Sequence, residues 1–242
     1  TWQESSLKTG LLLPWIKQYK DYTLSATLNP ELSFTRLSNY KGDNIALNID
    51  QQSIEYLSLT NTIRNRRQQA TQELAPRFYQ SLSTTIYKTL SSSTYQGSFQ
   101  SLDVSLYFPG LLKTHSFQTK ATLSTQENQY YSFNTSITYI EGFSFNQTYT
   151  SFNGVKLDYY YPLSYPDLSI MNLVYIQRLS HSFYTHFGKI TYSEGTINPS
   201  YIGSRFHFDT KFGQINAPVK LTFTAFYSIN AQGYGFLTYF SF

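Results

Sequence analysis

The stretch of this chain whose residue types come nearest to catalysis is Arg178-Leu-Ser-His-Ser-Phe-Tyr-Thr-His186, which holds two of its four histidines beside two serines. A nucleophile needs its general base within hydrogen-bond reach. In an extended strand Ser182 points away from its neighbour His181, because successive side chains alternate faces. His181 and His186 are five residues apart and fall on opposite faces as well, so they cannot share a metal ion. A lipid-modifying enzyme acting through His181 or His186 is one reading of the stretch, and two ordinary strand histidines are the other. We take the second and expect no enzyme, no metal and no cofactor.

A second constellation is Arg205, His207, Asp209 and Lys211, a mixed-charge ladder that shares one strand face and points away from Phe206 and Phe208. Lining a pore, such residues act as a filter or a proton-sensitive gate. The plainer reading is a polar wall whose members pair with their neighbours. A third group, Arg64, Arg66 and Arg67, precedes Gln68-Gln-Ala-Thr-Gln-Glu73 and reads as a basic loop. At a membrane surface its guanidinium groups suit the phosphates of lipopolysaccharide. The net charge of +4 is dispersed, so nucleic acid is not an expected partner. The chain has no cysteine, which removes thiol chemistry, thiolate metal sites and disulfides together.

The elements that position these residues are strands. Leu102, Val104, Leu106 and Phe108 alternate with Ser101, Asp103, Ser105 and Tyr107, and Val155, Leu157, Tyr159 and Tyr161 alternate with Lys156, Asp158 and Tyr160. Val219, Leu221, Phe223 and Ala225 likewise oppose Lys220, Thr222 and Thr224. No 3.6-residue stripe is present. The last ten residues put Tyr234, Phe236, Phe240 and Phe242 on one face, with Gly233, Gly235 and Ser241 on the other. A soluble protein seldom ends on an exposed aromatic strand, whereas a strand that closes a barrel in lipid gains from that pattern. Those four aromatics are expected to act as a C-terminal assembly signal for the barrel-assembly machinery.

Charged residues make up only 13% and aromatics 18%, while mean hydropathy is −0.35. A polar but weakly charged, aromatic-rich chain fits strands with one face in lipid and one in a wet lumen. No apolar run approaches the ~18 residues of a spanning helix. The sequence therefore predicts one domain over 1–242, an all-β transmembrane antiparallel up-and-down β-barrel of about twelve strands, with fourteen as the alternative. Strands are expected at 5–14, 21–36, 53–64, 77–90, 97–108, 115–125, 129–140, 151–163, 170–187, 200–212, 217–229 and 233–242. An even count puts both termini in the periplasm and the loops 15–20, 65–76, 109–114, 141–150, 188–199 and 230–232 outside. Short turns are expected at Thr125–Asn128, Ser164–Ser169 and Gly213–Asn216. Twelve strands ~4.8 Å apart and tilted ~40° give a backbone radius of roughly 12 Å, so bulky inward residues leave a narrow or plugged lumen.

Three stretches carry a resemblance: Pro76-Arg-Phe-Tyr-Gln-Ser81, Leu106-Tyr-Phe-Pro-Gly-Leu-Leu-Lys-Thr-His-Ser116, and Leu157-Asp-Tyr-Tyr-Tyr-Pro-Leu-Ser-Tyr-Pro-Asp-Leu168 running on to Leu173-Val-Tyr-Ile-Gln-Arg-Leu179. Over residues 60–242 they resemble the C-terminal β-barrel of Bacteroidota outer-membrane proteins that carry a periplasmic β-propeller ahead of the barrel. The Tyr-x-Pro-Leu piece is also similar to barrels of the outer-membrane assembly-factor superfamily. Phe78-Tyr79 stands where the first family usually shows Trp-Gly, and the assembly factors' Arg-Gly-Tyr motif is replaced by Gly142-Phe-Ser-Phe145. The resemblance implies an envelope location, a longer polypeptide of which this is the C-terminal part, and no reaction.

The function expected is that of a non-enzymatic outer-membrane barrel that anchors a periplasmic module or joins an envelope complex. Its partners would be outer-membrane lipid, lipopolysaccharide and other envelope proteins. A small-solute channel lined by Arg205, His207, Asp209 and Lys211 is the alternative, and a lipid-modifying enzyme the second alternative.

Overall fold

Period-two alternation becomes strand almost everywhere in the structure, a computed structural model that describes residues 3–40, 49–68, 75–90, 96–128, 149–171, 173–212 and 219–241. The strands are β1 (Gln3–Gly10), β2 (Leu13–Tyr19), β3 (Tyr22–Tyr40), β4 (Ile49–Arg67), β5 (Tyr79–Thr89), β6 (Gly97–Pro109) and β7 (Ser116–Asn128). They continue as β8 (Ser151–Ser164), β9 (Leu168–Ile170), β10 (Val174–Thr191), β11 (Thr196–Ile197), β12 (Ser200–Phe212), β13 (Val219–Ser228) and β14 (Gly233–Ser241). There is no helix among the described residues. All fourteen strands belong to one antiparallel up-and-down sheet.

The count is the expected alternative of fourteen rather than twelve, and the difference has a simple origin. β1 and β2 both pair with β3, β8 and β9 both pair with β10, and β11 and β12 both pair with β10. Each of these couples is one long strand interrupted in the middle, so the sheet has eleven positions in the order β1-β3-β4-β5-β6-β7-β8-β10-β12-β13-β14.

Closure is not as expected. Among the described residues β14 pairs only with β13, and β1 and β2 pair only with β3, so the sheet is open. Eleven antiparallel positions leave the two edge strands running the same way. Direct closure would then need a parallel seam, which is less stable per residue than an antiparallel ladder.

Several boundaries also move. Residues 15–20, expected as a loop, belong mostly to β2, and the chain reverses at Lys20 (φ 48°) and Asp21. The basic triplet Arg64, Arg66 and Arg67 is the end of β4, not a loop. Thr125–Asn128 completes β7 instead of turning. The turn placed at Ser164–Ser169 lies instead at Met171 to Leu173, where Met171 takes φ 49° and the Leu173 N–H donates to the Ile170 carbonyl at 2.9 Å. Positive φ at Lys20 and Met171 is uncommon for side-chain-bearing residues, so sequence rules written around glycine and asparagine miss both turns. The strand expected at 129–140, the loop 141–150 as far as residue 148, and the whole turn at Gly213–Asn216 lie outside the described residues.

Register pairing sorts the two faces. One row runs Trp15–Ala26–Ile63–Leu82–Val104–Ala121–Val155–Phe187 across eight consecutive positions, apolar throughout. The neighbouring row on the opposite face carries Thr27, Thr62, Ser83, Asp103 and Thr122. In the apolar row Trp15, Ile63, Leu82, Val155 and Phe187 are exposed, while in the polar row Thr62 and Thr122 are buried, the reverse of the order in a soluble protein. Phe206, Phe223 and Phe240 share the exposed face and are not sandwiched against a second sheet.

The polar face is the inner side of a curl. Arg205 of β12 reaches across β10 to Asp158 of β8 on this side, 2.6 Å between nitrogen and oxygen. Among the described residues a small apolar cluster lies inside: Tyr149, Phe152, Ile190 and Tyr201, with Tyr192 and Phe226 against it.

Candidate functional site

Strand alternation delivers Lys156, Asp158 and Tyr160 of β8, Ser180, Ser182, Tyr184 and His186 of β10, and Arg205 and His207 of β12 to the concave face. Across the pairs His186↔Lys156, Tyr184↔Asp158 and Ser182↔Arg205 these residues form one wall. Asp158 is its electrostatic centre. It is 1% exposed and lies 2.6 Å from Arg205 Nη1 and 3.5 Å from Lys156 Nζ. The Arg205 guanidinium also stacks over the Tyr184 ring, 3.7 Å from its centroid. A buried carboxylate is tolerated because two cations stand against it, and the negative face of the Tyr184 ring in turn receives the Arg205 guanidinium.

His207 sits one row along. Its Nδ1 is 3.0 Å from the Thr222 hydroxyl, its Nε2 is 3.3 Å from the Ser182 hydroxyl, and Tyr160 stacks at 6.4 Å between centroids. Asp209 pairs with Arg178 of β10, the guanidinium Nη2 standing 2.5 Å from Oδ2, while Lys220 lies directly across the β12–β13 ladder. Lys211 shares the face at the end of β12, opposite Tyr175. The structure therefore brings Arg205, His207 and Asp209 together on one wall, each tied to a neighbour, with Lys211 beyond them. Aligned this way they line this part of the concave face with paired, bulky groups.

Sequence reasoning placed these four on one face but missed their partners. Asp158 was visible as an acid flanked at i−2 by Lys156. Its pairing with Arg205, 47 residues away, depends on register that local sequence does not carry.

His181 and Ser182 face opposite ways, as alternation requires. Ser182 bonds to His207 on the concave side. His181 lies on the apolar face, ringed by Phe183 at 4.6 Å and Phe206 at 4.4 Å, with its Nε2 2.6 Å from the Ser204 hydroxyl. This Ser204–His181 contact comes from the next strand and could not be read locally. A catalytic triad needs a third group to orient the imidazole, and Nδ1 of His181 has no hydrogen-bond partner among the described residues. His186 is buried against Tyr184 on the concave side, 4.9 Å between centroids.

The final strand has the faces expected. Tyr234, Phe236 and Phe240 project outward at 82%, 80% and 62% exposure, while Gly235 lies under the Phe226 ring on the inner side. Phe242 lies outside the described residues. Arg64 and Arg66 stand on the concave face, in register with Ser81 and Tyr79 of β5.

No protein-family model matches this chain, and no curated protein sequence matches it either.

Proposed function

We propose that this chain is an integral β-barrel of the bacterial outer membrane, not an enzyme, that anchors a periplasmic module or serves as a subunit of an envelope complex. The observation that carries the reading is the inversion of burial along single strands. On β12 and β13 the outward Ile202, Phe206 and Phe223 are exposed while the inward Arg205, His207, Thr222 and Thr224 are buried. In water such apolar rows would drive aggregation, because monomeric soluble proteins seldom leave patches beyond a few hundred Å² open. Against hydrocarbon they cost nothing, and the polar wall keeps its hydrogen bonds inside.

In lipid no sheet edge stays unpaired, so closure of the seam between β14 and the β1–β2 edge belongs to the proposal. The partners are membrane lipid and lipopolysaccharide on the convex face, the barrel-assembly machinery during insertion, and envelope proteins at the rims. The resemblance to barrels that follow a periplasmic propeller supports the anchoring role.

The filled wall around Asp158 and Arg205 favours an anchor over a wide channel. Planar-bilayer recordings of the folded protein test this. An anchor gives no sustained large currents. Steady open-channel conductance would replace the anchor with a solute channel lined by Arg205, His207, Asp209 and Lys211.

A further inference from the structure

A cavity of about 600 Å³ opens on the concave face beside the β2 edge. It is lined by Arg64, Arg66 and Arg67 with Thr23, Ser25, Tyr79, Ile16 and Gln68, and it holds no carboxylate in its lining. Register explains the assembly: Arg64 lies between Ser25 and Ser81, and Arg66 between Thr23 and Tyr79, so cations and hydroxyls alternate across three strands. Salt bridges among the described residues lie elsewhere, for example at Lys8–Glu31, Lys156–Asp158, Arg178–Asp209 and Arg205–Asp158. Three like charges within one strand end repel one another, and no acid stands among the described lining residues to offset them.

We infer that this cavity is a binding site for a small polyanion carrying two or more phosphate or carboxylate groups. Arginine presents a planar fork of donors that grips such groups bidentately. The hydroxyls of Thr23, Ser25 and Tyr79 add donors that tolerate either anion. The volume is that of an ordinary small-molecule site.

Lipid headgroups share this chemistry, but Arg64 and Arg66 stand on the polar face, away from the apolar rows. A lipid on the convex side meets only Arg67, the residue of opposite alternation at the strand end. The ligand is therefore water-borne. The exclusion of lipid rests on the membrane reading, whereas anion binding rests on the cavity and its arginines, so pyrophosphate binding can fail while the membrane reading holds.

The test is calorimetric titration of the folded, detergent-solubilised protein with inorganic pyrophosphate. Saturable binding is expected. Removing each guanidinium in Arg64→Gln and Arg66→Gln should weaken it about tenfold, and the double variant about a hundredfold. Arg64→Lys with Arg66→Lys should recover part of the loss, and circular dichroism checks that every variant keeps its strand content. Absence of saturable binding at millimolar pyrophosphate would overturn the inference. So would unchanged affinity in the folded double variant. Binding seen only with phosphatidylglycerol nanodiscs, dependent on Arg67 and indifferent to Arg64 and Arg66, would assign the arginines to lipid and overturn it equally.

Discussion

Arg205 of β12 reaches past β10 to Asp158 of β8, closing to 2.6 Å between guanidinium nitrogen and carboxylate oxygen with both side chains almost wholly out of contact with solvent. The contact ties three strands together from the inside. Removing one member strands the other in a dry interior, which costs about 3–5 kcal/mol. Asp158→Asn is thus expected to lower the urea midpoint of the folded protein sharply. Asp158→Asn combined with Arg205→Met and Lys156→Met should recover much of that loss, since both cations that face Asp158 beside Tyr184 are then gone with it. Equilibrium unfolding followed by tryptophan fluorescence measures both.

Gly203 is where the wall packs tightest against backbone. A Cβ there would meet the Tyr184 ring at 2.5 Å and the Ala225 carbonyl oxygen at 2.7 Å. The ring can swing, but the carbonyl belongs to the β12–β13 ladder and cannot. Gly203→Ala should therefore destabilise by about 1–3 kcal/mol. Gly195→Ala, with nothing within 4 Å of the added methyl, should be silent in the same urea titration.

His181 has an aromatic neighbourhood and a single polar contact, to Ser204. Replacing it with Phe loses one hydrogen bond, worth about 1 kcal/mol, and keeps the packing against Phe183 and Phe206. The variant should fold and reach the membrane at wild-type yield, scored by the heat-modifiable band on unboiled gels. A phospholipid hydrolase activity present in the wild type and lost in this well-folded variant would reinstate the enzyme reading.

On β14 the outward residues matter for insertion more than the inward ones. Phe240→Lys places a charge on the apolar face and is expected to cost up to about 2–4 kcal/mol if the site lies near mid-membrane. Ser241→Lys, one residue on and facing in, should be tolerated. Pulse-labelled assembly into isolated outer membranes distinguishes the two.

Much of the sheet was legible because period two is written plainly between residues 97 and 128 and again from 200 to 241. The aromatic face of Tyr234, Phe236 and Phe240 follows from alternation alone. What failed was punctuation. Lys20 and Met171 turn the chain without glycine, and the edge strand breaks at Leu11-Leu12, between Gly10 and Pro14, inside the strand expected at 5–14, so the boundaries moved and fourteen strands replaced twelve. The concave face was legible in its members, Arg205, His207 and Asp209, and illegible in its pairing. Asp158 and Arg178 come from other strands, and the bulge between Ile176 and Arg178 sets which one meets Asp209. The arginines at 64, 66 and 67 looked like a loop because their charge masked the alternation that carries Ile63 outward.

Quenching of single tryptophans by brominated lipid asks most directly which face meets hydrocarbon. With Trp2 and Trp15 changed to Phe, one tryptophan is placed in turn at Phe206, Phe223, Phe236, Thr222 or Thr224 in the protein reconstituted into bilayers. Strong quenching at the three phenylalanine positions and little at the two threonines is the predicted pattern. Equal quenching at all five, or stronger quenching at Thr222 and Thr224, would contradict the account.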